Sequence, residues 1–350
     1  MSRILRIKRP LKKSRLKLVV FRSVMIGLTF TFLIFLEVLL RHEGKRHWER
    51  FDTFDNVPIM TKEDNELGWV NMPGAYRYST SRDGSNVITI TINEDLTRGA
   101  PTSGTGKREV WFFGGSFTHG WAVTDGEVFC DQVDDALSDH GYAIRNFGVP
   151  GYGTLQSFLL FERIMRICSN PPELVVYGFI DYHSDRNVAT SAWLSLLARS
   201  ASDQAWIKTP YARTDKEEGL AVFPPKGYVN WPLSKHSVLV HYVQERIGFA
   251  RDKGLMAESR NVTIRLIQEW QERVEALDSR FMVMILYTFR PKDYYIDRFK
   301  KENILFMDCS NTTYPTPETT VPGDAHPNRL VHQEWAQCFL RKAPLDKKGM

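Results

Sequence analysis

The chain has 350 residues, 43% apolar and 25% charged, so it is long enough to bury a large core and has the make-up of a globular protein rather than a disordered or fibrous one. Its formal charge of +5 comes from one place, because residues 1–22 hold nine Lys or Arg and no acid, and removing those nine leaves the remainder at −4. No basic face is left to hold a phosphate backbone, so nucleic acid is excluded as a partner.

In chain order, the basic head MSRILRIKRPLKKSRLK (residues 1–17) predicts a cytoplasmic tail, and the apolar run over 18–40 predicts one transmembrane helix. Arg22 sits near one end, where its side chain can snorkel to the headgroups, and Glu37 near the other suits a short or tilted span. A cleaved signal peptide needs small residues after the apolar run, whereas this run exits into RHEGKRHWER. With the positive end inside, everything after about Arg41 is expected outside the cytoplasm, periplasmic or extracellular.

A juxtamembrane segment over 41–105 follows, in which VITITIN alternates like a strand. From Val110 the pattern predicts a strand over Val110–Phe113, a helix over Glu127–His140 with Phe129, Val133 and Leu137 on one face, and a strand over Ala143–Phe147. A helix over Thr154–Cys168 stops at Asn-Pro-Pro before the strand Leu174–Phe179. Residues 185–260 carry aromatic and Pro/Gly punctuation and are expected to be an insertion or lid. A helix over Val262–Leu277, the strands Phe281–Thr288 and Ile304–Met307, and a closing helix complete the chain. Strands alternating with helices predict a three-layer α/β/α domain with a parallel central sheet.

Cys130, Cys168, Cys309 and Cys338 lack any paired metal-ligand spacing, so neither a metal site nor a cofactor is expected. Disulfides and buried free thiols both remain open for them. The sequons at Asn261 and Asn311 are short patterns with many chance matches.

The chemistry starts at VWFFGGSFTHG. An apolar strand that ends at Gly114 and Gly115 delivers Ser116 at its carboxyl end, where open α/β sheets place their ligands. Near the other end, PGDAHPN supplies Asp324 and His326. Attack by a serine needs a base for the hydroxyl proton, and imidazole titrates in the right range; a carboxylate can hold that imidazole in the correct tautomer. His119 and Trp121, beside the serine, suit either an acyl or sugar pocket or plain packing, and His332 suits a surface or packing role.

These blocks resemble the SGNH (GDSL-like) hydrolases and acyltransferases. GGSFTHG is similar to the first block of that family, NFGVPGYGT to the second and GDAHPN to the last, while LEVLLR and DNELGWVNMPG resemble membrane-anchored bacterial members. The resemblance implies a catalytic domain over 106–345, Ser116 as nucleophile, and Asp324 and His326 as the rest of the triad. It also implies an oxyanion hole built from the N–H groups of Ser116 and Gly151. An α/β-hydrolase elbow would require glycine where Thr118 stands. Two departures stand out: the last block reads Asp-x-His where Asp-x-x-His is usual, and the third block's Asn is missing, which leaves His183 or Asn187 to donate to the oxyanion. The reading is an esterase acting on O-acyl, chiefly O-acetyl, esters of envelope glycans or lipids. An O-acyltransferase using the same triad, and a non-catalytic protein that binds a glycan or a partner, are the alternatives.

Overall fold

The computed structural model describes residues 12–51, 58–80, 84, 86–99, 107–168, 170–200, 207–214, 219–289, 293–310 and 313–345. Most of the basic head and the Asn311 sequon lie outside the described residues. The chain forms two compact units, Met1–Glu49 with Val229–Ile247, and Arg50–Tyr228 with Gly248–Met350.

The elements in order are α1 (Lys12–His42), β1 (Thr61–Asp64), β2 (Gly68–Asn71), β3 (Gly74–Ser79), β4 (Val87–Ile92), β5 (Arg108–Gly114), α2 (Ser116–His119), α3 (Phe129–Leu137), β6 (Tyr142–Asn146), α4 (Thr154–Met165) and β7 (Leu174–Ile180). There follow α5 (His183–Asn187), α6 (Ser191–Ser200), β8 (Thr209–Thr214), β9 (Leu220–Lys226), α7 (Val238–Glu275), β10 (Arg280–Tyr287), α8 (Asp293–Lys301), β11 (Phe306–Asp308) and α9 (Arg329–Lys342).

In the first unit, Leu16–His42 of α1 is long and apolar enough to cross a membrane, with a mean hydropathy of 2.3. Glu37, the acid near its end, accepts hydrogen bonds from the Val238 and Leu239 N–H groups at 3.0 and 2.8 Å and from the Ser237 hydroxyl at 2.8 Å. The carboxylate thus caps the first turn of α7, where backbone N–H groups have no helical partner.

The second unit is built on a parallel sheet in the order β11-β10-β7-β5-β6. Each central strand alternates between two apolar layers. Trp111 and Phe113 of β5, Val175, Tyr177 and Phe179 of β7, and Phe281, Val283 and Ile285 of β10 face one layer, shared with α4, α7 and α8. Val110 and Phe112, Val176 and Ile180, and Met282 and Met284 face the other, shared with α3 and α9. This burial on both faces explains why the strands read as continuous apolar runs. Three layers with a parallel centre match the expected class.

Chain order 2-1-3-4-5 across the sheet places a topological switch between β5 and β7, and ligands of open α/β sheets bind outside the carboxyl ends of the strands there.

Element limits depart most from the sequence pattern at α7. Helix α7 starts at Val238 rather than near Val262, because the buried stripe of Val262, Leu266, Ile267, Trp270 and Val274 begins only in its last third, and Gly248 and Gly254 dilute the signal before it. Residues 185–260 hold α6, whose first turn is capped by the Asp252 carboxylate at 2.7 and 2.9 Å, and the β8–β9 hairpin, on which Tyr211 and Phe223 stack at 4.9 Å. Segment 41–105 holds two further hairpins, β1–β2 and β3–β4. Cys309 and Cys338 form a disulfide, while Cys130 and Cys168 are free thiols.

Candidate active site

Ser116 opens α2 directly after β5, at the switch point. Gly114 and Gly178 are register partners on β5 and β7, and a Cβ on either would run into the Thr118 hydroxyl. Gly114 also has φ +157°, which L side chains rarely adopt. The paired glycines therefore clear the space that lets α2 sit hard against the sheet. Thr118 fills that space and is wholly buried, which explains a bulky residue where an elbow of the other hydrolase class needs glycine.

The turn is stitched from two sides. Arg98, whose side chain is fully buried, donates to the carbonyls of His119 at 2.6 Å, Gly120, and Val123 at 2.5 Å, and pairs with Asp125 at 3.3 Å. Asn146 donates from its amide to the Thr118 carbonyl at 2.9 Å and accepts from the Gly148 N–H at 2.9 Å. The Val149 N–H then donates to the Gly114 carbonyl at 3.0 Å, laying the second block beside the first.

Gly151 lies on that loop with φ +85°, and a Cβ there would stand 2.9 Å from the Trp69 ring. Trp69 in turn donates its indole N–H to the Pro150 carbonyl at 3.0 Å and accepts at its own carbonyl from the Tyr152 hydroxyl. The loop is clamped from outside by an aromatic residue of β2.

Asp324 and His326 come from the loop between β11 and α9. One carboxylate oxygen of Asp324 accepts both the His326 ring Nδ1–H at 2.5 Å and the His326 backbone N–H at 2.8 Å; the other accepts the Trp121 indole N–H at 3.1 Å. Burial pushes this carboxyl up, but the bonds from His326 and Trp121 outweigh it and hold it below the ordinary carboxylate value. Tyr314 fixes the loop by donating its hydroxyl to the Ala325 carbonyl at 2.5 Å.

The two parts meet through aromatic rings. The His326 ring lies 5.8 Å from that of Phe117, the residue after Ser116, and 6.2 Å from that of Trp121, a residue whose backbone N–H donates to the Ser116 carbonyl at 2.9 Å. Three histidines surround this region, and two of them are buried. His119 is buried, with a pKa pushed well below normal by burial, then by Arg98 and His326; His332 is pushed down to about 3 chiefly by burial. Both are neutral packing groups. The His326 side chain keeps 29% of its surface open.

Of the residues offered for the third oxyanion donor, Asn187 is occupied otherwise and His183 is enclosed. The Asn187 side-chain carbonyl accepts the Leu155 N–H at 3.0 Å, so its amide faces Thr154 at 3.0 Å and Thr263 at 2.9 Å and has no hydrogen left for a ligand. The Thr154 and Tyr177 hydroxyls share a hydrogen bond at 2.8 Å, and Tyr177, whose pKa burial raises, shares another with His183 Nδ1 at 2.6 Å. His183 Nε2 is buried beside Gly115 and has no partner among the described residues. Arg186, missed at the sequence level, donates to the Tyr152 carbonyl at 2.8 Å and lies over the Trp193 ring at 4.5 Å, between the serine turn and the Gly151 loop. Burial lowers its pKa to about 10, so it stays cationic at neutral pH.

No family model matches the chain, and no curated protein matches it. Among solved structures it is similar to a lipolytic protein of the G-D-S-L family from Veillonella parvula, at 10% identity over 67% of this chain and 98% of that one, with a TM-score of 0.39. It is similar also to TesA, at 9% identity over 67% and 97% with a TM-score of 0.38, and to a catalytic mutant of the acetylxylan esterase Axe2 from Geobacillus stearothermophilus, at 13% over 69% and 96% with 0.39.

Proposed function

We propose that the chain is a membrane-anchored serine esterase of the SGNH type, acting outside the cytoplasm on O-acyl esters of envelope glycans or lipids. The observation that carries this reading is the 2.5 Å bond between His326 Nδ1 and Asp324, on a loop whose imidazole packs against the residue next to Ser116. With its Nδ1 proton tied to the carboxylate, the ring offers Nε2 as the base.

In this mechanism Ser116 Oγ attacks the acyl carbon while His326 Nε2 takes the hydroxyl proton. Asp324 stabilises the imidazolium that forms. The N–H groups of Ser116 and Gly151 hold the oxyanion, and collapse expels the alcohol, which takes its proton from His326. Water attacks the acyl-enzyme in the second half, and a sugar hydroxyl in its place would give acyl transfer. The span at Leu16–His42 and the Cys309–Cys338 disulfide, a bond that persists in oxidising compartments, support the extracytoplasmic placement.

The test is labelling of the full chain in detergent with a fluorophosphonate, alongside hydrolysis of p-nitrophenyl acetate. Labelling and turnover that vanish in Ser116→Ala are expected. An unlabelled wild-type chain without turnover would refute the esterase and favour a binding role, and a faster release of p-nitrophenol with an added glycan acceptor would favour transfer.

A further inference from the structure

In the proposed reaction His326 returns a proton to the departing alkoxide, so the alcohol part of the substrate must lie on the His326 side of Ser116. The surface leading outward from that ring is aromatic. From His326 the contacts run to Phe117 at 5.8 Å, to Tyr287 at 6.2 Å, to Tyr182 at 6.5 Å and to Phe289 at 6.0 Å. The last three rings are near-parallel, with interplanar angles of 24° and 23°. They sit where ligands of this sheet bind: Tyr182 two residues past β7, Tyr287 at the end of β10 and Phe289 two residues beyond it. Tyr314 ties the strip to the catalytic loop, meeting Tyr287 edge-on at 5.0 Å while its hydroxyl holds Ala325.

The outer rings are open to solvent, Tyr182 at 41% and Phe289 at 70%. Large apolar side chains exposed together at the rim of a site mark a binding surface. A fatty chain needs an enclosed apolar groove, whereas these rings stand open to solvent. A pyranose fits them: its C–H face carries partial positive charge toward the negative face of an aromatic ring, and its hydroxyl rim stays in water or meets a tyrosine hydroxyl.

We propose that Tyr182 and Phe289, continued inward by Tyr287, form a subsite for a neutral pyranose on the alcohol side of the scissile ester, which makes an acylated glycan the substrate class. The inference rests on the esterase reading for its place in the reaction, but the binding can be read without turnover.

The experiment uses the full chain in detergent micelles carrying Ser116→Ala, with xylobiose, cellobiose and an acetylated xylo-oligosaccharide as probes in saturation-transfer NMR. Saturation of the C–H protons of one sugar face is expected. Tyr182→Ala and Phe289→Ala should each weaken binding by about 3- to 10-fold, the worth of one aromatic contact, with Tyr182→Phe close to the parent. In the chain with Ser116 intact, the same changes should raise KM for the acetylated oligosaccharide by the same factor and leave the rate of fluorophosphonate labelling unchanged, because fluoride is too small a leaving group to reach the rings. That labelling also reports that the exposed-ring variants are folded.

Absence of saturation with every sugar, an affinity unmoved by both alanine variants, or an equal loss in the rate of fluorophosphonate labelling would overturn the subsite. Saturation confined to the glycerol of a monoacylglycerol probe would overturn it in favour of a lipid. Sugar binding lost in the variants of a chain that never labels at Ser116 would sustain the subsite and sink the esterase.

Discussion

Asp324→Asn is the sharpest single perturbation of the proposed triad, and its effect can be worked from the hydrogen-bond directions. The carboxylate faces three donors, the His326 ring and backbone N–H on one oxygen and the Trp121 indole on the other. A carboxamide has only one acceptor. With its oxygen toward His326, its NH2 meets the Trp121 N–H head-on; turned around, it donates to His326 Nδ1 and drives the ring proton onto Nε2, which removes the base. In triads of this kind the amide costs about four powers of ten in kcat, equivalent to about 5 kcal/mol of barrier.

Removing the competing donor should relieve the conflict. In Asp324→Asn with Trp121→Phe, the amide oxygen can stay on the ring and only the carboxylate's charge is lost, so about one to two powers of ten should return. Single-turnover acylation by p-nitrophenyl acetate reads both variants, with thermal unfolding to show that each is folded. An Asp324→Asn chain within about tenfold of wild type, while Ser116→Ala is dead, would refute the assignment of Asp324 as the group that orients His326.

Four further outcomes follow from the packing. Gly178→Ala should destabilise the second unit by about 2 kcal/mol in urea, because the new methyl meets the Thr118 hydroxyl, and adding Thr118→Ala should recover most of that loss. Arg98→Met should cost about 3 kcal/mol, since it frees three carbonyls and strands Asp125, and a melting temperature that does not fall would contradict the role given to that side chain. Burial raises the Asp131 carboxyl to about 6, above its unfolded value, so its contribution to stability is full in acid and is lost as the pH rises through about 6; denaturant midpoints of Asp131→Asn should be flatter over that window. Reducing Cys309–Cys338, which closes a loop of sequence separation 29 around the proposed Asp324–His326 segment, should cost about 3 to 4 kcal/mol and lower the proposed Ser116-dependent turnover, as a reductant titration would show.

The layers of the sheet were legible because period and burial agree. Val110–Phe113, Leu174–Phe179 and Phe281–Thr288 are apolar on both sides, bounded by turn residues, and each falls on an observed strand within two residues. The first part of α7 was not legible for the converse reason. Between Val238 and Val262 the helix has no continuous buried stripe, so its sequence carries neither the apolar period nor a stop signal, and what starts it is the Glu37 carboxylate, some 200 positions away in the chain. A cap supplied from such a distance leaves no local pattern to read.

The same distinction separates the parts of the candidate site. Ser116, Gly151 and the Asp324–His326 loop have local signatures, since each lies where glycine or a tight turn forces the backbone. The short Asp-x-His spacing also has a local explanation. With one residue between them, the Asp324 oxygen reaches back to the His326 N–H at 2.8 Å and so is already aligned with the ring at 2.5 Å, closing the turn and orienting the imidazole with one atom. Arg98, Arg186 and the Asn187–Thr154–Tyr177–His183 chain have no such mark, because their partners are carbonyls and hydroxyls brought in by the fold. His183 could be proposed as a donor from sequence, yet its Nε2 is enclosed beside Gly115 by groups that only the fold brings together. That burial leaves the backbone N–H groups of Ser116 and Gly151 as the proposed oxyanion donors, so a substitution at His183 should act on the stability of the β7–α5 turn before it acts on the chemistry.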